Sequence, residues 1–350
     1  MSLVDCSTPC AVAAPSRRMR LAAIVAAVLA FVCLGAGPAG AFDSADSTTL
    51  ATLPLIPQPG LPAPKLGGYL QVRELAQKDV GFTSYLNRAR FSIDGTMPYR
   101  FAYRFLTELE ASAGARSAAT VSLREATIKW SPSPFTLTAG EFKTPFTREY
   151  LIPVPALELA DLATVVDSMA PKYDVGVSGE IAFGATASIT LGAFNGEGAN
   201  AIANRDSTVM VVARVTARPV PQLALGASAT RDGPDSLRWG VDGSVQQLGG
   251  TVRGEYVLRH RRGRDHDHDD RGWYVFEAFR MLPRVQLVGR QEDFQRPSRG
   301  LASRLRGSAY GTNVEIAPGR LRLLLEFSRR ISGKKQQHAD TVIAQFQAQF

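Results

Sequence analysis

The sequence predicts an all-β chain, a 16-stranded antiparallel transmembrane β-barrel with short periplasmic turns, longer outer loops and a long third outer loop folded into the lumen. Three observations predict it. An export signature opens the chain, hydrophobicity alternates with period two almost throughout from Lys65, and tight Pro/Gly turns recur at near-even spacing. Composition agrees: with 45% apolar and 21% charged residues, the chain of 350 is too polar for a bundle of membrane helices and too apolar for a disordered polymer.

Arg17, Arg18 and Arg20 precede the apolar run Leu21 to Leu34, and the small residues Ala39-Gly40-Ala41 follow. This is a signal peptide over residues 1–41, cut before Phe42, with Met19 as an alternative start. The run is shorter than the roughly 20 residues a spanning helix needs, which argues against a retained anchor. Bulky Val32 argues against a lipoprotein built on Cys33. Cleavage removes Cys6, Cys10 and Cys33, so the mature chain has no disulfide, thiol nucleophile or Cys-based metal site. It leaves 37 Lys+Arg against 31 Asp+Glu, a balance of +6. For an exported chain that balance points to anionic solutes, lipopolysaccharide or outer-membrane lipid, and away from nucleic acid. Residues 42–64, with Pro54, Pro57, Pro59, Pro62 and Pro64, form a Pro-rich periplasmic linker, and residues 65–350 form the barrel.

Within the barrel the strands read clearly. Leu86 to Gly95 sets Arg88, Arg90, Ser92 and Asp94 against Ala89, Phe91 and Ile93. Tyr99 to Phe105 alternates aromatic with basic or small residues. Leu321, Leu323, Leu325 and Phe327 lie opposite Arg322, Glu326 and Ser328, and Val342 to Phe350 alternates to the end. Period two gives one oily and one wet face. Tight turns fall at Met97-Pro98, Ser131 to Pro134, Gly184-Ala185, Pro219 to Pro221, Gly249-Gly250, Leu282-Pro283 and Pro318-Gly319. Seven such turns alternating with eight longer loops make sixteen strands. A soluble β-sandwich explains the alternation but not the charges or the aromatics near hairpin ends. Strands in lipid must close, because no backbone group can be left unpaired there.

One connection is long. Phe142 to Tyr173 spans about thirty residues, with Ala156 to Asp167 able to form a short helix. A sixteen-stranded lumen is wide enough to admit it. Lying on the outer surface or against a neighbouring subunit is the alternative.

Gly140-Glu141-Phe142-Lys143-Thr144-Pro145-Phe146-Thr147-Arg148-Glu149-Tyr150 resembles the stretch that opens the constriction loop of the phosphate-selective porin O and P family. Asp174 to Val177 and Gly192 to Asn200 follow at matching distances. The resemblance covers Lys65 to Phe350 and is most specific over residues 140–200. It implies a trimeric porin passing small solutes, often anions. The terminal Phe350 resembles the aromatic by which barrel assembly machinery recognises its clients. Physically, Pro145 stops a strand, Gly140 allows close approach, and Gly196 and Gly198 suit a reversal.

Alternation turns Arg88, Arg90, Arg100, Arg104, Lys129, Arg253, Arg290 and Arg322 toward the lumen, with Arg73 a looser assignment; Lys143 and Arg148 join them from the third loop. Guanidinium stays charged and pairs two oxygens of phosphate or carboxylate at once, so these are the candidate anion-path residues. The family's phosphate preference is associated with loop lysines. Here Lys143, Arg148 and Lys172 face Glu149, Glu158, Asp161 and Asp167, a net of −1. Interleaved lumen acids such as Asp94, Glu108, Glu110, Glu125, Glu255 and Glu326 give a transverse field that suits zwitterions as well. The expectation is passive diffusion of small anionic or zwitterionic solutes, with phosphate a narrower possibility. The rival for the arginines is structural: pairing with acids to set barrel shape. The rivals for the whole chain are a closed structural or adhesive barrel and an outer-membrane hydrolase, for which no nucleophile–base pair is recognisable. Arg259 to Asp270 reads as a charge-rich sixth outer loop, a solvated tip more than a Zn²⁺ site, whose arginines can meet lipopolysaccharide phosphates. His338 is assigned to another outer loop. No cofactor, metal or catalytic residue is expected.

Overall fold

The computed structural model describes residues 62–110, 120–201, 203–205, 207–263, 267–298, 301–333 and 337–350. The signal peptide and the linker up to residue 61 lie outside them. Sixteen strands close in chain order: β1 (Lys65–Gln77), β2 (Gly81–Met97), β3 (Phe101–Glu110), β4 (Thr120–Trp130), β5 (Phe135–Lys143), β6 (Tyr173–Phe183), β7 (Ala187–Phe194), β8 (Met210–Val220), β9 (Leu223–Asp232), β10 (Ser236–Gln247), β11 (Gly250–Arg261), β12 (His268–Leu282), β13 (Val285–Ser298), β14 (Leu301–Ala317), β15 (Leu321–Ser332) and β16 (Gln337–Gln349). Every neighbouring pair is antiparallel, and β1 pairs β16 from Tyr69↔Gln349 to Gln77↔Thr341. The terminal residue belongs to that seam, since Phe350 and Gly68 exchange both backbone hydrogen bonds, at 3.0 and 3.1 Å. With no edge strand and no helix long and apolar enough to cross a membrane among the described residues, the strands themselves span the bilayer.

Alternation sorts each strand. On β12, Trp273, Val275 and Phe279 are exposed on the outer face while Tyr274, Phe276 and Ala278 are buried inside. The inner face is not uniformly wet. Phe194, Met210, Val212, Val257, Tyr274 and Phe276 line an apolar inner wall, and the third loop covers it.

The seven tight turns all join strands where the punctuation put them. Three details differ. The outer connections are not all long: residues 78–80 and 233–235 span three residues each, because β1, β2, β9 and β10 run further than their turn signals indicated. The strand expected from Tyr99 starts at Phe101; Pro98–Arg100 forms a 3-10 turn in which Tyr99 and Arg100 take positive φ. The charge-rich stretch from Arg259 and the residue His338 belong largely to β11, β12 and β16, leaving a short tip of which residues 264–266 lie outside the described set.

Candidate functional site

The third outer loop, residues 144–172, leaves β5 and turns into the barrel. Its neck is closed by Thr144, whose N–H and hydroxyl both donate to the Lys172 carbonyl, at 2.9 and 3.0 Å. Gly140 lies just before it at φ +122, and a Cβ there would sit 1.9 Å from the Ala126 carbonyl oxygen, so no other residue fits. The helix expected over Ala156 to Asp167 is instead two short helices, α1 (Arg148–Leu151) and α2 (Thr164–Met169), with a 3-10 turn at Val154–Ala156 between. Pro153 and Pro155 keep α1 from running on, and residues 158–163 give backbone groups to Asn313, Arg73, Glu326, Arg290 and Glu149 instead of to a helical ladder.

Two forces hold the loop. Phe146, Val165, Val166 and Met169 are buried against the apolar inner wall. Full burial of such side chains is worth about 1.5–3 kcal/mol each. Wall side chains then satisfy the loop backbone. Glu326 accepts the Ala160 N–H at 2.7 Å, Glu292 the Thr164 N–H at 2.9 Å, and Glu255 the N–H groups of Arg148 and Glu149 at the start of α1. Asn313 and Gln347 donate to the Glu158 and Pro155 carbonyls at 2.8 and 3.0 Å.

The candidate cations separate by what they touch. Arg73 reaches Asp161 at 3.0 Å and the Ala160 carbonyl at 2.9 Å. Arg253 binds Glu158 through two parallel hydrogen bonds, at 3.0 and 2.8 Å, with its guanidinium 3.7 Å above the Phe276 ring. Arg290 donates to the Asp161 carbonyl at 2.8 Å, Arg148 pairs Asp242 at 2.7 Å, and Lys143 donates to the Tyr150 and Ile152 carbonyls at 2.6 and 2.9 Å. These five fasten the loop. Arg88 and Arg90 meet Glu108 at 3.4 and 2.9 Å, and Arg104 bridges Asp94 and Glu125. Arg322 donates to Gln347 at 3.2 Å, while Lys129 has no ion pair among the described residues. Arg100 does not face the lumen wall; it sits exposed in the periplasmic turn after β2.

Three arrangements were not legible in the sequence. Arg214 pairs Asp242 at 2.8 Å and follows the inward parity of Met210 and Val212, so alternation contained its direction but not its partner. Arg124 joins Arg88 and Arg90 on Glu108 at 2.5 Å; a bulge at Leu106/Thr107 shifts its parity, which no pattern marks. At the outer mouth Arg259, Arg261 and Arg296 all approach the fully buried Asp270.

Beneath the loop, a cavity of about 900 Å³ opens toward the periplasmic ends of β2 to β8. Pro145 and Leu151 of the loop face it, as do Arg104, Lys129, Lys143 and Arg214.

The family model for phosphate-selective porin O and P matches residues 69–286. The chain belongs to that family. No curated protein sequence matches this porin, but solved structures do. The outer membrane channel DcaP of Acinetobacter baumannii superposes with a TM-score of 0.65 at 10% identity, covering 82% of this chain and 97% of that one. The anion-selective porin of Comamonas acidovorans gives 0.61 at 11%, over 82% and 99%. The trimer form of OmpT from Vibrio cholerae gives 0.61 at 12%, over 82% and 99%. At such identities the likeness establishes the fold. With the family match, it makes this porin an outer-membrane channel for passive diffusion in a Gram-negative bacterium.

Proposed function

We propose that this porin favours anions among the small hydrophilic solutes it passes, with no chemical step. One observation carries the reading: at two places three arginines share a single carboxylate. Arg259, Arg261 and Arg296 surround Asp270 at the outer mouth, and Arg88, Arg90 and Arg124 surround Glu108 in the wall. The Asp270 group keeps two positive charges beyond the one it cancels, and the Glu108 group gathers three guanidiniums about one carboxylate. A positive ring bounded by low-dielectric wall raises the local anion concentration. Arg322 and Lys129 add charge, neither in an ion pair among the described residues. Arg73, Arg253, Arg290, Lys143 and Arg148 contribute by holding the third loop at the width that makes these fields count. A phosphate-specific path is the narrower case, and the anion selectivity of the Comamonas acidovorans porin is consistent with the broader one.

Three partner readings accompany it. A homotrimer is supported by the trimer form of the Vibrio cholerae neighbour. Outer-face Arg304 and Arg306, which share Asp293, suit lipopolysaccharide phosphates. Phe350, exposed at the seam, suits the barrel assembly machinery.

The test is the reversal potential of single channels in a KCl gradient. An anion-selective sign is expected, moved toward zero by Arg261→Ala with Arg296→Ala. A cation-selective sign overturns the preference, and absence of conductance steps favours a closed structural barrel.

A further inference from the structure

The cavity beneath the third loop has a wall that ion-path arguments leave unused. Its lining includes Thr127 on β4, Thr138 on β5, Ser178 on β6, Ser188 and Thr190 on β7, and Thr216 on β8. Strand register makes these neighbours: Lys129 pairs Thr138, Thr138 pairs Ser178, Glu180 pairs Thr190, and Thr190 pairs Arg214. Five consecutive strands thus present hydroxyls between a cation on β4 and a cation on β8.

Ser188 and Thr216 share a hydrogen bond at 2.9 Å, and the other three hydroxyls besides Thr190 are open. Thr127, Thr138 and Ser178 make no side-chain hydrogen bond among the described residues, and neither does Lys129. Each hydroxyl offers one donor and two acceptor lone pairs, and rotates to suit its partner. The opposite half of the inner wall differs: there Gln71, Asn313, Gln345 and Gln347 are buried and occupied with one another, with Arg73 or with the loop backbone.

Charge fixes the class of solute. The cavity lining carries Lys65, Arg104, Lys129, Lys143 and Arg214 against Asp94, Glu125 and Glu180, five cations to three acids. Arg104 is spent on Asp94 and Glu125, Arg214 on Asp242, and Lys143 on the Tyr150 and Ile152 carbonyls. Lys129 is left to meet an oxyanion, and the Glu180 carboxylate accepts hydrogen bonds from hydroxyls, as it already does from Thr190 at 3.4 Å. A simple inorganic anion uses Lys129 and leaves the hydroxyl run idle. A polyhydroxylated anion uses both.

We infer that this hydroxyl-lined vestibule is a weak binding subsite for small polyhydroxylated oxyanions, sugar acids or sugar phosphates, with Lys129 taking the anionic group and Thr138 and Ser178 taking the hydroxyls. The inference rests on the anion-favouring porin reading and names a solute class within it. Weak binding suits a pore, where a solute must enter readily and still leave.

The probe pair is gluconate and hexanoate, which share one carboxylate and six carbons and differ in hydroxyls. Added to the periplasmic side of the intact porin in a planar bilayer, gluconate is expected to interrupt chloride current at roughly tenfold lower concentration. The double variant Thr138→Val with Ser178→Ala should remove that difference while leaving the KCl reversal potential unchanged. Lys129→Gln should weaken interruption by both solutes. Equal interruption by the two anions, or a difference that survives the double variant, overturns the inference. A cation-selective reversal potential instead overturns the anion reading beneath it, so the two failures are told apart. If the double variant gives no folded barrel, Thr138→Val alone is expected to lower the gluconate preference severalfold, and an unchanged preference counts against the inference.

Discussion

At the scale of single residues, the loop's attachment is a balance between two carboxyls with opposite tendencies. Burial raises the Asp161 carboxyl, but the charge and hydrogen bond of Arg73 outweigh it, so the group lies below its ordinary range. Burial dominates at Glu149 and lifts it above the usual range despite Arg290. A depressed carboxyl contributes stability above its unfolded value and loses it as pH falls through the lowered one; a raised carboxyl gains stability as pH falls through its raised value. Single-channel noise from loop motion is therefore expected to be smallest in mildly acidic buffer and to grow in strong acid, once Asp161 is protonated. Asp161→Asn should bring the strong-acid noise to neutral pH. A noise level flat across the whole range would contradict this. Gly68 is another pressure point. A Cβ there would lie 2.5 Å from the Arg90 carbonyl oxygen and 2.7 Å from the Phe350 ring. Gly68→Val should cost roughly 1–3 kcal/mol of seam packing. The check is the temperature at which the folded band on a detergent gel gives way to the unfolded one, expected to drop by several degrees.

At the scale of elements, the third loop behaves as a piece of core inserted into a channel. Gly272 on β12 makes room for it: a Cβ there would meet the Val165 side chain at 2.9 Å. A Cβ there would also meet the Asp293 carbonyl oxygen of β13 at 2.7 Å, so the cleaner test is Val165→Asp, which changes no strand and should displace α2 from the inner wall. The expected result is a conductance raised severalfold, and an unchanged conductance would show that α2 does not set the pore width. This element also marks the limit of what sequence carries. The strands and turns were legible because lipid and water impose a strict period of two, as at Leu321 to Ser328. The loop was legible as a long interruption, but its internal form was not. Its helices depend on Glu255, Glu292 and Glu326, which arrive from distant strands. The same limit explains the cations. Alternation found that Arg73, Arg253 and Arg290 face inward, but nothing in the chain order reveals that their partners are Asp161 and Glu158 of the loop. Arg100 was misread because Pro98 converts the strand's expected start into a turn.

At the scale of the whole molecule, selectivity arises from summed charge, and most of that charge is cancelled locally. Arg73 on Asp161, or Arg253 on Glu158, presents a dipole whose field fades within a few ångströms. The cluster on Asp270 is different, since three guanidiniums against one carboxylate leave a net charge that acts at longer range. Arg261 and Arg296 at the mouth are more than a third exposed, so that field meets mobile ions. Salt should then control selectivity. The screening length is about 10 Å at 0.1 M and about 3 Å at 1 M, the second shorter than the radius of a sixteen-stranded lumen. The chloride-to-potassium permeability ratio is therefore expected to exceed one in dilute gradients and to fall toward one as salt approaches 1 M. A vestibule subsite that meets its solute by direct hydrogen bonds should decline less over the same range. A permeability ratio that held constant with salt would place selectivity in desolvated contacts at the loop, where Lys143 and Arg73 sit, and would take it away from the arginine clusters.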